Sequence, residues 1–374
     1  MVEVLGGEPD GPESCCGGDF CGPLKNTKEK HRNARACRFA RTLATLLREV
    51  VADYGWITAR RGRRSIKKHD RLAIDSLSRR DTAPALVYFS RMQATTLTLG
   101  HSPDPDDAFM FYALAKDLIP THGFRFEHIL QDIQTLNERA TRGELDITAV
   151  SIHAYAYVSD KYALLPSGAS MGDGYGPMLV AKQKFFREEI AKKKIAVPGT
   201  MTSAFLALQL WLGKPAKEFD YVVVPFDQIF AAVKNGVAEV GLIIHEGQLT
   251  FQNERLVLCE DLGVWWGKEN NGLPLPLGGN VINKKFDLAT RKKISDTLTA
   301  SIQYSLDHRP EAVVHALQYA RDMGRDLADK FVGMYVNHWT LDYGDKGRES
   351  IRRFLGQAYE RGLIPHRQEL EFVV

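Results

Sequence analysis

The chain is short of cysteine where a fold would need it. Of five cysteines, four (Cys15, Cys16, Cys21 and Cys37) lie in the first 37 residues, and their spacing matches no zinc pattern. The remainder holds only Cys259, which excludes an internal disulfide there and points to a reducing, cytoplasmic compartment. No run approaches the roughly 20 apolar residues that span a bilayer. The acidic, Gly-rich start lacks a positive stretch followed by an apolar one, so it does not read as a secretory signal. Also missing are a phosphate-binding Gly-rich loop ending in Lys-Ser/Thr, a zinc-protease helix, a Ser/His/Asp order and a dinucleotide fingerprint in strand–helix context. The Gly-rich stretch Ser167–Pro177 does not qualify as that fingerprint and reads as a hinge or a backbone contact to ligand. A metal site has no support.

What charge there is lies unevenly. Residues 1–91 carry 18 Lys and Arg against 11 Asp and Glu, and the rest carries 31 against 35. The body therefore lacks the basic footprint of a nucleic-acid binder. Residues 1–91, with the basic run Arg60–Lys68 and one possible amphipathic helix near Thr42–Tyr54, are expected to be a disordered basic extension. Met92 stands directly before the first plausible strand, so the alternative reading starts the native chain there.

From Thr95 onward strands and helices alternate. Strands are expected at Thr95–Gly100, Phe124–Leu130 and Ile147–Ser151, with helices at Asp107–Asp117 and Thr135–Arg142. The plan then repeats: strands at Lys194–Val197, Tyr221–Val224 and Val240–Ile244, helices at Thr202–Trp211 and Phe226–Asn235. Gly143–His153 and Gly236–Glu246 align by eye. This order predicts a two-lobed α/β fold with parallel sheets. Lobe one takes 95–181 and 280–374, including C-terminal helices from about Asp287, and lobe two (182–279) is inserted in it. Two such lobes form a cleft, and ligands bind beyond the carboxyl ends of the strands. That rule selects the loops after Gly100, Ser151, Pro198 and Ile244.

The first loop, His101–Phe109, places Asp104, Asp106 and Asp107 at a helix start. Capping explains part of this; three Asp in four positions exceed it, so Asp104 or Asp107 is a candidate for a ligand hydroxyl. The loop Val197–Phe205 runs from a strand through Pro-Gly into Thr202 and Ser203, which open a helix. Free N–H groups and a positive dipole end suit a carboxylate there. His245 closes a buried strand beside Glu246 and titrates in the range useful for moving protons, so it is the candidate catalytic residue. Ser151 and His153 occupy the remaining loop.

These residues carry a resemblance. Ser102-Pro103 with Pro105, Asp107 and Phe109; Ser167-Gly168 with Gly176-Pro177; Pro198-Gly199 with Thr202 and Ala204; Gly241–Glu246; Leu273–Gly278; and Tyr335-Val336-Asn337 together resemble the 1,4-dihydroxy-6-naphthoate synthase family of the futalosine route to menaquinone. The likeness runs from about Leu97 to the C-terminus. It implies a type II periplasmic-binding-protein-like fold and a carbon–carbon lyase acting on cyclic dehypoxanthine futalosine. It further implies His245 as general base. Thr202, Ser203, Ala204 and Ser151 would hold the small anionic substrate, partly through its carboxylate. The matching motifs extend the expected contacts to Ser102, Asp107, Gly176 and Pro177, and the Asp-rich loop itself adds Asp104. No cofactor is implied, since the chemistry is acid–base work. The sequence departs from the usual Ser-Pro-Cys-Pro-Asn-Asp-Thr-Phe pattern at Asp104, Asp106 and Ala108, adding charge and removing a hydroxyl. Two alternatives stand beside the lyase. One is a solute-binding protein; the other is a family enzyme, such as one similar to chorismate dehydratase, with a different anionic substrate.

Overall fold

The computed structural model describes residues 94–320 and 324–373. The expectations for residues 1–91, including the helix near Thr42–Tyr54, lie outside them. In chain order the first elements are β1 (Thr95–His101), α1 (Pro105–Met110), α2 (Tyr112–Ala115), β2 (Phe124–Leu130), α3 (Ile133–Thr141), β3 (Ile147–Ser151) and α4 (Ile152–Tyr155). Strand β1 pairs in parallel with β2 on one side and β3 on the other. Every residue of β3 is buried, and its mostly apolar sequence, with the small hydroxyl residues Thr148 and Ser151, suits a strand covered on both faces. The helix expected over Asp107–Asp117 is split at Phe111, whose backbone leaves helical geometry. Its ring is buried 4.9 Å from that of His101, so tertiary packing overrides local helix propensity.

Three short strands follow: β4 (Tyr162–Leu164), β5 (Ser170–Gly172) and β6 (Met178–Ala181). Then come α5 (Arg187–Ile190), β7 (Ile195–Val197), α6 (Ser203–Leu212), β8 (Tyr221–Val223), α7 (Ile229–Lys234), β9 (Val240–Ile243), β10 (Val257–Asp261), α8 (Leu262–Glu269) and β11 (Leu275–Asn283). The first sheet has the order β2-β1-β3-β11-β4, with β5 paired to β11; the second has the order β10-β6-β9-β7-β8. Both are mixed rather than parallel, because β11, β6 and β10 run antiparallel to their neighbours. Strand β6, assigned to lobe one from sequence, pairs with β9 and β10 and so lies in the second sheet. Strand β11, five of whose residues were assigned to lobe two, pairs with β3 in the first. The chain therefore crosses between sheets near 173–177 and 262–274.

Helix α6 is buried along its whole length, which its nearly all-apolar sequence requires. It stops at Gly213, whose left-handed backbone (φ 67°) closes the last turn. The C-terminal part is helical from the Asp287 cap onward: α9 (Leu288–Asp307), α10 (Arg309–Ala316), α11 (Arg325–Tyr335), α12 (His338–Leu341) and α13 (Gly344–Glu360). Helix α13 buries Gly347, Ser350, Ile351, Phe354, Leu355 and Ala358, one face at helical spacing, against β11 and α6. Among the described residues no helix is long and apolar enough to cross a membrane.

Candidate active site

The two crossing segments touch backbone to backbone. A Cβ built on Gly263 would overlap the Tyr175 carbonyl, and one on Gly176 would lie 2.7 Å from the Gly263 nitrogen. The Leu262 N–H donates to the Pro177 carbonyl (2.9 Å), and the Asp261 carboxylate accepts from Gly263 and Val264. Burial pushes Asp261 up to about 6.

Beside this crossing lies a cleft with about 860 Å³ of space free of protein atoms, part of it open to solvent. One wall is the loop after β1. Ser102 N–H donates to Asp107 (2.6 Å) and its hydroxyl donates to Asp104 (2.5 Å). Burial raises the Asp107 carboxyl to about 7; the Ser102 N–H opposes the rise and Asp104 adds to it. Asp106 is raised well above the ordinary carboxyl value, by burial first and then by Asp107 and Asp104. The His101 imidazole behind this wall is pushed down to about 3 by burial and by His128, whose Nδ1 lies 2.9 Å from its Nε2. Ala108, where the resemblance expects a threonine, is packed in the lobe core with Leu97 and Leu99, so the missing hydroxyl is not missing from the cleft.

The opposite wall is the start of α6. Thr202 caps it, accepting from Phe205 N–H (3.1 Å) and donating to the Gly199 carbonyl (2.9 Å). Ser203 and Ala204 follow in the first turn, where no intrahelical carbonyl can take their N–H groups. The Ser203 hydroxyl donates across to the Leu277 carbonyl of β11 (2.5 Å) and accepts from His153 N–H (3.2 Å). His153 is buried against the Thr202 carbonyl, and burial lowers it to about 4.

Of the residues singled out in the sequence, Ser102, Asp104, Asp107, Ser151, Pro177, Thr202, Ser203 and Ala204 line this cleft. Gly176 and His245 do not. Gly176 instead offers its carbonyl to Gln248 Nε2 (2.7 Å). His245 follows β9 with Ile244 between them, and its ring packs against those of Phe226 and Phe230, 5.5 and 5.7 Å between centroids. Its neighbours Ile244 and Gln248 are the ones that face the cleft.

Three polar residues of the site, Asn137, Gln248 and Asn280, carry no mark in the sequence, and they act with Tyr335. Fully buried Asn137 donates to Ser151 Oγ (3.0 Å) and accepts from Ser151 N–H (2.8 Å), fixing the end of β3. Gln248 bridges the Gly176 carbonyl and the Tyr335 hydroxyl, joining the crossing segment to α11. Burial, with Tyr175 nearby, holds the Tyr335 phenol far above its ordinary value, so it stays protonated as a donor. Asn280 of β11 also lines the cleft. Motif spacing gave no signal for any of them except Tyr335, which sits in a matching motif. Among the described residues no cluster of His, Cys, Asp and Glu is placed to hold a metal ion.

A family profile described as "Menaquinone biosynthesis" matches residues 97–360. The 1,4-dihydroxy-6-naphthoate synthase of Streptomyces coelicolor is 34% identical over 276 residues, 73% of this chain and 96% of that protein. The enzyme of the same name from Thermus thermophilus is 36% identical over 267 residues, 71% of this chain and 95% of its own. A crystal structure of an Archaeoglobus fulgidus protein superposes with a TM-score of 0.68 at 38% identity, covering 72% of this chain and 98% of the other. The alkanesulfonate-binding protein of Xanthomonas axonopodis pv. citri shares the fold at 12% identity (TM-score 0.56; 73% of this chain, 95% of that one). With a match that runs through every strand of both sheets, the chain belongs to the menaquinone-biosynthesis family and has a periplasmic-binding-protein-like α/β fold.

Proposed function

We propose that the chain is a cytoplasmic 1,4-dihydroxy-6-naphthoate synthase, a lyase that converts cyclic dehypoxanthine futalosine into 1,4-dihydroxy-6-naphthoate. The observation that carries this reading is the identity of 34–36% over 95–96% of the length of two relatives of that name; the family match over residues 97–360 takes in both walls of the cleft. The cleft's chemistry is consistent with it. The first turn of α6 offers N–H groups and a positive dipole end to a carboxylate. Ser151, Ser203 and the Ser102 loop line the space around the rest of the molecule.

We infer that His245 is the general base. It follows the cleft-lining Ile244, and an imidazole can take and return a proton near neutral pH. Its ring rests against Phe226 and Phe230, so the base step calls for closure of the lobes on substrate, a motion built into folds of this kind. The roles of Ser102, Asp104, Asp107, Ser151, Gly176, Pro177, Thr202, Ser203 and Ala204 as substrate contacts belong to the same proposal. Incubating purified protein with cyclic dehypoxanthine futalosine and following the naphthoate by its absorbance tests it. Formation of the product at enzymic rates supports the reading. Tight binding without turnover would make the protein a binder, and turnover of a different anionic compound instead would move it to another branch of the family.

A further inference from the structure

Asn280 stands out among the buried polar groups. Its residue is 1% exposed, it lines the cleft, and both its Nδ2 and its Oδ1 lack a hydrogen-bond partner among the described residues. A buried carboxamide with neither end satisfied is costly, and native proteins rarely keep one without a use. The surroundings are shaped to admit it. Gly168 has a left-handed backbone (φ 86°), and a Cβ there would overlap the Asn280 amide nitrogen. The backbone of Asn280 belongs to β11, opposite Ala149 of β3, and its carbonyl accepts from Leu165 N–H (2.9 Å).

We propose that Asn280 is a substrate-binding residue that takes an aliphatic hydroxyl of the ligand, and that it sets the ligand's orientation in the cleft. The inference rests on the reading of the cleft as that of a 1,4-dihydroxy-6-naphthoate synthase. A carboxamide presents one donor and one acceptor side by side, and a hydroxyl is both acceptor and donor. Asp104, Asp106 and Asp107 line the same cleft, and that concentration of carboxyl groups disfavours a ligand carboxylate while accepting hydroxyl donors. The carboxylate is then directed to the first turn of α6 on the other wall. The substrate, a nucleoside remnant, carries both kinds of group. The aromatic product retains the carboxylate but not the aliphatic hydroxyls.

The test compares wild-type full-length protein with Asn280→Leu and Asn280→Ala. Three quantities are read: kcat/KM for cyclic dehypoxanthine futalosine, the inhibition constant of 1,4-dihydroxy-6-naphthoate, and the melting temperature without ligand. The expected result is a 10- to 100-fold loss in kcat/KM, about one or two hydrogen bonds' worth. Product inhibition should stay within about twofold, and the melting temperature of Asn280→Leu should equal or exceed that of wild type, because no internal hydrogen bond is lost. A structural role predicts the opposite, a lower melting temperature with kcat/KM retained, and would overturn the inference. Equal weakening of substrate and product would also overturn it, since it would put Asn280 on the carboxylate. If Asn280→Leu does not fold, Asn280→Ala is read by the same criteria. Wild-type protein that fails to turn over the substrate would refute the functional reading and this inference with it; active wild type with an unaffected Asn280→Leu would refute the inference alone.

Discussion

Asp107→Asn should make the protein more stable at alkaline pH. Asp107 is buried, and its carboxyl is raised from the ordinary 3.8 to about 7, chiefly by burial. The folded state therefore holds the proton more tightly than the unfolded chain does. Between about pH 4 and pH 7 folding takes up a proton at this site, so its contribution to stability falls as pH rises and the full penalty is present above about pH 7. Roughly three units at about 1.4 kcal/mol each set an upper bound near 4 kcal/mol. Relaxation around the ionised group brings the expected figure to about 2–4 kcal/mol. Asparagine keeps the oxygen that accepts from Ser102 N–H (2.6 Å), so the loop geometry survives. Urea unfolding of both proteins at pH 5 and pH 8 checks this. The gain from the substitution should be about 1–2 kcal/mol at pH 5, where the unfolded carboxyl is already ionised, and about 2–4 kcal/mol at pH 8. Asp106 and Asp261 are raised as well, and His101 and His153 lowered, but these groups are common to both proteins. The difference between them reports Asp107 together with the relief of Asp106, which Asp107 raises, and both contributions grow with pH in the same direction. A stabilisation that does not grow with pH, or a loss at pH 8, would refute the reasoning.

Three further outcomes follow from the same geometry. Asn137→Ala removes both bonds to Ser151 and leaves the buried Ser151 N–H unmet, which should cost about 2–4 kcal/mol and be visible as a fall in melting temperature of several degrees. Gly263→Ala sets a methyl group into the Tyr175 carbonyl at the crossing, and should cost about 3 kcal/mol or more in chemical unfolding, with activity lowered as the lobes shift. Ser203→Ala breaks the tie from α6 to the Leu277 carbonyl and should weaken substrate binding, seen as a raised KM, while costing about 1–3 kcal/mol of stability in the same unfolding assay.

The parts of the fold legible in the sequence are those whose burial is uniform or periodic. Strands β3 and β9 are buried at every position, and their apolar runs, each opening after a Gly and an acidic residue, announce them. The same holds for α6, whose Thr202 cap and Gly213 stop mark both ends. Strand β11 hides itself. Pro276, Gly278 and Gly279 break any strand pattern, yet the strand binds β3, β4 and β5, with an irregularity between Pro276 and Gly278. Missing β11 and the short β6 made the sheets look parallel and misplaced the boundary between lobes. The site divides in the same way. Loop residues at strand ends were found because topology selects them. Asn137, Gln248 and Asn280 lie within or just beyond regular elements, where a polar residue looks solvent-facing until the packing shows it buried. Position in sequence also told where His245 stands but not that its ring turns toward Phe226 and Phe230.

The central claim is that this cleft performs proton abstraction on cyclic dehypoxanthine futalosine with His245 as base. The direct measurement is the single-turnover rate of wild type and His245→Gln, each checked for an unchanged fold by circular dichroism. The account predicts product formation by wild type and a loss of about 10²–10⁴-fold in His245→Gln, the usual contribution of a general base, with substrate affinity largely kept. A folded His245→Gln that turns over as fast as wild type would contradict it.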